Sequence, residues 1–157
     1  LIRVFSTING NMLHEFRRGL EPSNIYSIRF TPDNTRLIVS SSRCTIHVFS
    51  LTTDVPNIKS KLSSLSEYLP ESLNYFKSTW SFLNVKLDEE EINKKNYLHT
   101  ISNDKFLVIS ESGCMYSFII TTQENIIKLE SKSTYISIAQ TSEQPLEEPL
   151  EAPLEQI

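Results

Sequence analysis

Leu37-Ile38-Val39-Ser40-Ser41-Ser42-Arg43-Cys44-Thr45-Ile46-His47-Val48-Phe49 reads as two short strands joined by a tight turn. β-Branched and apolar residues fill both arms, and small polar residues fill the bend. Pieces of this unit recur. Leu1-Ile2-Arg3-Val4-Phe5 matches Thr45 to Phe49 at an offset of 44 residues. Leu107-Val108-Ile109-Ser110-Glu111-Ser112-Gly113-Cys114 matches Leu37 to Cys44 at an offset of 70, and the long insertion Thr52 to Ser78 accounts for the excess of 26. A period near 44 with four short strands per unit marks a β-propeller blade. A helical solenoid would need a 3.6-residue apolar period, which these runs lack.

The rest of the chain fits that unit. Strands are predicted over Leu1–Thr7, Met12–Arg18, Ile25–Phe30, Arg36–Ser41 and Thr45–Leu51, then over Thr79–Leu87, Tyr97–Ser102, Phe106–Ser110, Met115–Thr121 and Ile126–Tyr135. Asn9-Gly10, Pro22-Ser23-Asn24 and Pro32-Asp33-Asn34 supply turns. The expected fold is all-β, a partial β-propeller of about two and a half four-stranded blades over residues 1–135. It holds one long inter-strand loop, 52–78, and ends in a disordered tail, 136–157. Propellers close with about four to eight blades. Two and a half would leave long unpaired edges, so the chain is expected to fold poorly alone. It reads as the C-terminal part of a larger propeller or as an incomplete gene product, since it begins with Leu1 and its first residues already read as strand.

Composition narrows the function classes. Net charge is −4 over 157 residues, but Thr141 to Ile157 carries five glutamates and no base, which leaves 15 basic against 14 acidic residues in the body. No nucleic-acid partner is expected. The tail repeats Pro-Leu-Glu at Pro145, Pro149 and Pro153, a composition that opposes both helix and sheet. No apolar run reaches the eighteen or so residues of a membrane span and no leader pattern is visible, so a soluble, non-secreted protein is expected. Cys44 and Cys114 lack metal-ligand spacing and read as reduced core residues.

A catalyst is not expected. His14, His47 and His99 lie in separate strands with no nucleophile or carboxylate at a motif spacing, and no glycine-rich phosphate loop or cofactor motif occurs. Asp88-Glu89-Glu90-Glu91 reads as a solvated loop, because consecutive carboxylates repel and point in different directions. Anion binding has better support. Phe16-Arg17-Arg18-Gly19 ends a strand, where alternation sends neighbouring side chains to opposite sides. Arginine forks suit phosphate oxygens. The offset of 44 puts Arg3 and His47 at equivalent positions of adjacent blades, and Ser41, Ser42 and Thr45 add hydroxyls at the next hairpin. In the insertion, Leu62, Leu65 and Leu69 make one apolar face of a short helix, followed by Leu73, Tyr75 and Phe76. That pattern suits shallow membrane insertion.

Several stretches resemble the PROPPINs, the WIPI-type seven-bladed propellers that bind polyphosphoinositides. They are Leu1-Ile-Arg-Val-Phe-Ser-Thr7, Glu15-Phe-Arg-Arg-Gly19, Ile25-Tyr-Ser-Ile-Arg-Phe-Thr-Pro-Asp33, Ser40-Ser-Ser-Arg-Cys-Thr-Ile-His-Val-Phe49 and Ser78-Thr-Trp-Ser-Phe82. The resemblance covers the first half of the chain closely and the strands to Tyr135 more loosely. It implies binding to phosphatidylinositol 3-phosphate and phosphatidylinositol 3,5-bisphosphate, with roles in autophagy or endolysosomal traffic. It implies a cytoplasmic protein held peripherally on phagophore, endolysosomal or vacuolar membranes. Arg17 would serve one lipid site with Arg3, and Arg18 the other with Ser41, Thr45 and His47. The loop after Leu51 would insert into the membrane. Autophagy proteins would dock on blades this chain lacks. Cys44 departs from the family, standing where a glycine is common. The alternatives are a WD-repeat protein-interaction scaffold without lipid binding and a non-functional truncated product.

Overall fold

In a computed structural model, which describes residues 1–54, 56–59 and 79–134, every regular element longer than one 3-10 turn is a strand. The predicted membrane-loop residues Leu62, Leu65, Leu69, Leu73, Tyr75 and Phe76, and the tail from 136, lie outside the described residues. Among the described residues, twelve strands form three four-stranded sheets. Strands β1 (Ile2–Phe5) and β2 (Met12–Arg17) belong to the first, which is extended by β6 (Ile58–Lys59) and β7 (Thr79–Trp80) in the order β1-β2-β7-β6. The second is β3 (Ile25–Phe30), β4 (Arg36–Ser41), β5 (Thr45–Ser50) and β8 (Leu83–Lys86). The third is β9 (Asn96–Thr100), β10 (Lys105–Ser110), β11 (Cys114–Thr121) and β12 (Ile126–Thr134). Two complete blades and the strand pair of a third are what the repeat predicts.

The middle sheet is covered on both faces, which is why β4 and β5 read as nearly continuous apolar runs. Side chains alternate across a strand. Leu37, Val39 and Phe49 therefore pack toward the first sheet against Ile2 and Phe16, while Ile38, Ile46 and Val48 pack toward the third against Leu98, Phe106, Val108 and Phe118. Phe16 and Phe49 stack with centroids 4.6 Å apart and join the first two sheets. Between the second and third, Arg36 donates from Nη1 to Asp104 Oδ1 at 2.6 Å and to the Asn103 carbonyl at 2.8 Å.

Three expectations need correction. The run Thr79–Leu87 is two strands in two sheets. Thr79 and Trp80 pair in parallel with Phe16 and Arg17 of β2, and the chain then crosses, with Phe82 N donating to the Val48 carbonyl before β8 pairs with β5. The offset of 70 is also one residue too long. Cys44 N donates to the Ser41 carbonyl and Gly113 N to the Ser110 carbonyl, so the two hairpins superpose at an offset of 69. The similarity of Leu-Val-Ile-Ser to Leu-Ile-Val-Ser hides this shift, although a slip of one residue exchanges the two faces of a strand. The correct register explains Cys44: its φ of 45° is the left-handed conformation that Gly113 adopts at φ 85°. The cysteine is fully buried there in the core between the second and third sheets.

Third, Asp88–Glu91 is not a solvated loop throughout. Glu91 is buried and accepts hydrogen bonds from the Ser110 hydroxyl and, at 2.6 Å, from Ser112 Oγ. Asp88 accepts from Lys132 Nζ at 2.6 Å and from the Tyr116 hydroxyl at 3.0 Å. Burial alone would raise the Glu91 pKa, but the serine hydrogen bonds outweigh it and hold the carboxyl below its ordinary range. Among the described residues, no group of three or more His, Cys, Asp or Glu side chains converges as metal ligands would, and no helix is long and apolar enough to cross a membrane.

Candidate functional site

The register of β1 and β2 distributes the basic residues. Arg3 lies opposite Glu15 and binds its carboxylate, Nε to Oε2 at 2.8 Å. Arg17 follows Glu15 by two residues and so belongs to the same face of the strand pair. Phe16 points the other way, into the core against Phe49. Arg18 follows Phe16 by two and continues toward the second sheet, where its Nη1 donates to Ser41 Oγ at 3.4 Å and its Nη2 to the Glu21 carbonyl at 2.9 Å. The two arginines thus serve different sides of one strand.

The receiving face of the second sheet changes character along its length. Leu37 pairs with Phe49 and Val39 with His47, and the column ends at Ser41, whose hydroxyl donates to the Thr45 carbonyl at 3.4 Å. Thr45 Oγ1 donates to the Arg43 carbonyl at 3.2 Å. Apolar packing at one end therefore passes into hydroxyls at the end Arg18 reaches. The structure brings Arg18, Ser41, Thr45 and His47 to this end, and leaves Arg3 and Arg17 on the opposite face. Arg17, Arg18, Leu20, Glu21 and Ser23 line an open pocket of about 340 Å³.

His47 is buried, and its Nδ1 lies 2.9 Å from Ser81 Oγ. Burial, and secondarily the Arg18 charge, lower its pKa from 6.5 to about 4. It is therefore neutral at pH 7 and contributes a hydrogen-bonding imidazole, not a cation. The unfolded chain binds this proton near pH 6.5 and the folded chain only near pH 4. The stabilisation from keeping His47 neutral is thus complete above about pH 6.5 and is lost as pH falls toward 4. The loss expected for this shift is on the order of 3 kcal/mol. Urea denaturation between pH 7 and 5 should show stability falling with acidity, and His47→Gln should flatten the slope. An unchanged slope in that variant would refute the assignment. The lowered carboxylates Asp33, Asp88 and Glu91 titrate below this window.

Gly19, just behind the arginines, does not need the conformational freedom of a glycine. Its φ is not positive, and no atom lies within 4 Å of the place a Cβ would occupy. Gly19→Ala should therefore change stability by less than about 0.5 kcal/mol in a thermal melt. A large loss would mean that the turn does require glycine.

Sequence reading missed Arg43 and Ser81 as participants, and it named Ser42 as a hydroxyl of the hairpin without its partner. Arg43 at the β4–β5 hairpin binds Glu21, Nη2 to Oε2 at 2.8 Å. Ser81 reaches His47 from the root of the long insertion. Ser42 ties its hairpin to the turn after Arg18, with Ser42 N donating to the Asn24 carbonyl and Asn24 N donating to Ser42 Oγ. None of these pairings has a local signal, since each joins residues far apart in the chain. The ends of the insertion are also placed: Ile58 pairs with Trp80 and Lys59 with Thr79, and β7 lies beside Arg17. The described residues on either side of segment 60–78 are thus paired with each other, and of the two short strands it is β7 that adjoins the arginine strand.

No family model matches the chain. It is 42% identical over 87 residues to SVP1-like protein 2 of Kluyveromyces lactis, a match covering 55% of this chain and 24% of that one. It is 52% identical over 52 residues to autophagy-related protein 18 of Candida glabrata, covering 33% and 10% respectively. Among solved structures it is similar to Kluyveromyces lactis Hsv2, with a TM-score of 0.62 and 26% identity over 84% of this chain and 41% of that one. The chain spans about a fifth to just over a third of the length of the first curated relatives it matches.

Proposed function

This chain belongs to the PROPPIN family of β-propellers, and from that premise we propose that it is a phosphoinositide-binding membrane-recruitment module of autophagy or endolysosomal traffic. The observation that carries the reading is the division of Arg17, the last residue of β2, and Arg18, the next, between opposite sides of the chain. Arg18 meets the hydroxyl end of the next blade at Ser41, with Thr45 and His47 behind it. Arg17 shares its face with Arg3.

Each face would hold one phosphorylated inositol headgroup, of phosphatidylinositol 3-phosphate or phosphatidylinositol 3,5-bisphosphate. Guanidinium forks would bind the phosphate oxygens, and the hydroxyls and neutral imidazole would complete their hydrogen bonds. Two weak contacts on one rigid strand act together, because the first raises the effective concentration for the second. The insertion is rooted at Lys59 and Thr79, which pair in the same sheet as that strand, so an apolar face on Leu62, Leu65 and Leu69 would meet the same membrane. The role is binding and not catalysis, with autophagy proteins as further partners and a peripheral location on the membranes that carry these lipids.

The direct test is flotation of the protein with phosphatidylcholine vesicles that contain or lack phosphatidylinositol 3-phosphate. Lipid-dependent flotation is expected. Failure to float, with a protein partner still bound, would favour a scaffold that does not read lipid.

A further inference from the structure

We propose that the Arg43–Glu21 ion pair is a latch beside the pocket that Arg17, Arg18 and Glu21 line, in which the Glu21 carboxylate stands in for a phosphate and Arg43 is an additional cation of the Arg18 site. The proposal rests on the anion-binding reading above and adds to it a built-in competitor.

The turn after Arg18 is stitched to the β4–β5 hairpin. Arg18 Nη2 donates to the Glu21 carbonyl, Ser23 Oγ and Ser42 Oγ are 3.1 Å apart, and Ser42 exchanges backbone and side-chain hydrogen bonds with Asn24. Glu21 and Arg43 therefore face each other across a fixed gap, one from each segment. The two guanidinium groups of Arg18 and Arg43 repel, while Glu21 favours the Arg18 charge. Removing the carboxylate leaves two neighbouring cations without the acid that acts on both, which is the electrostatic demand an incoming phosphate meets. The latch opens easily, because its side chains remain 51% and 69% exposed and such pairs contribute little to stability. An anion binding Arg18 can thus recruit Arg43 at the small cost of releasing Glu21 to water.

The test compares Glu21→Gln, Arg43→Ala, their combination and Glu124→Gln in the full chain. Glu124 pairs with Lys128 beside β12, so its substitution makes the same change of net charge away from the site. Binding is measured to soluble inositol 1,3-bisphosphate and to vesicles containing phosphatidylinositol 3-phosphate. Glu21→Gln is expected to bind both roughly two- to fivefold tighter, the scale set by opening an exposed ion pair. Arg43→Ala should bind more weakly, and Glu21→Gln should add little in that background. Equal tightening by Glu124→Gln, or a gain confined to vesicles, would mean a general charge effect and overturn the latch. An unchanged affinity in Glu21→Gln would overturn it too, and if Arg17→Ala/Arg18→Ala still abolishes binding, only the latch has failed. If that double variant binds normally, the underlying anion site is wrong and the latch falls with it.

Discussion

Replacing Arg17 and Arg18 together by alanine should reduce binding to phosphatidylinositol 3-phosphate vesicles by about a hundredfold or more. Hydrogen bonds to charged groups contribute about 1.5–3 kcal/mol each, and two lost contacts add up to at least that factor. Each single variant should only weaken binding, by about tenfold, because the arginines serve different faces of β2 and the other site keeps its hold. The substitutions should spare the fold. Arg17 ends β2 and Arg18 follows it, and the core contact beneath them is made by Phe16. Vesicle flotation with a thermal melt of each variant measures both effects. Wild-type flotation by the double variant would remove the lipid assignment. Equal, complete losses in both single variants would argue for one shared pocket in place of two.

Phe49→Ala should cost about 3–5 kcal/mol, the range for truncating a buried aromatic. Its position makes the result diagnostic. Phe49 is fully buried and stacks on Phe16, and Ile2 and Phe16 are the buried apolar side chains the first sheet offers to the second. Losing the ring should undock β1 and β2, so protection of their amides from hydrogen exchange should fall before that of β10 and β11. Phe106→Ala provides the comparison. It removes a ring from the larger core between the second and third sheets, and should destabilise comparably while leaving the first sheet docked. A Phe49→Ala cost below about 1 kcal/mol in urea denaturation would show that the two sheets are held by something other than this stack. Since Arg17 and Arg18 follow Phe16 directly, the same variant should also weaken vesicle binding.

Much of the site was legible because strand alternation is a local property. The period of two assigns Arg17 and Arg18 to opposite sides without any knowledge of the neighbours, and the observed pairing of Arg3 with Glu15 and of Phe16 with Phe49 follows the same rule. The split of Thr79–Leu87 was not legible, because both halves are good strand sequence and only the surrounding sheets decide which edge each joins. Glu91 was misread for a similar reason. Its neighbours Glu89 and Glu90 are exposed, and the hydroxyls that satisfy Glu91 come from Ser110 and Ser112, some twenty residues away.

From the sequence alone came the all-β class, the blade repeat and the arginine pair, since each depends on residue order and a fixed side-chain period. Tertiary structure alone decided the register of the repeat, the burial that keeps His47 neutral and the meeting of Arg43 with Glu21. These depend on which faces and turns are brought together when the sheets stack, and the free energy of stacking comes from apolar contacts between residues far apart in the chain.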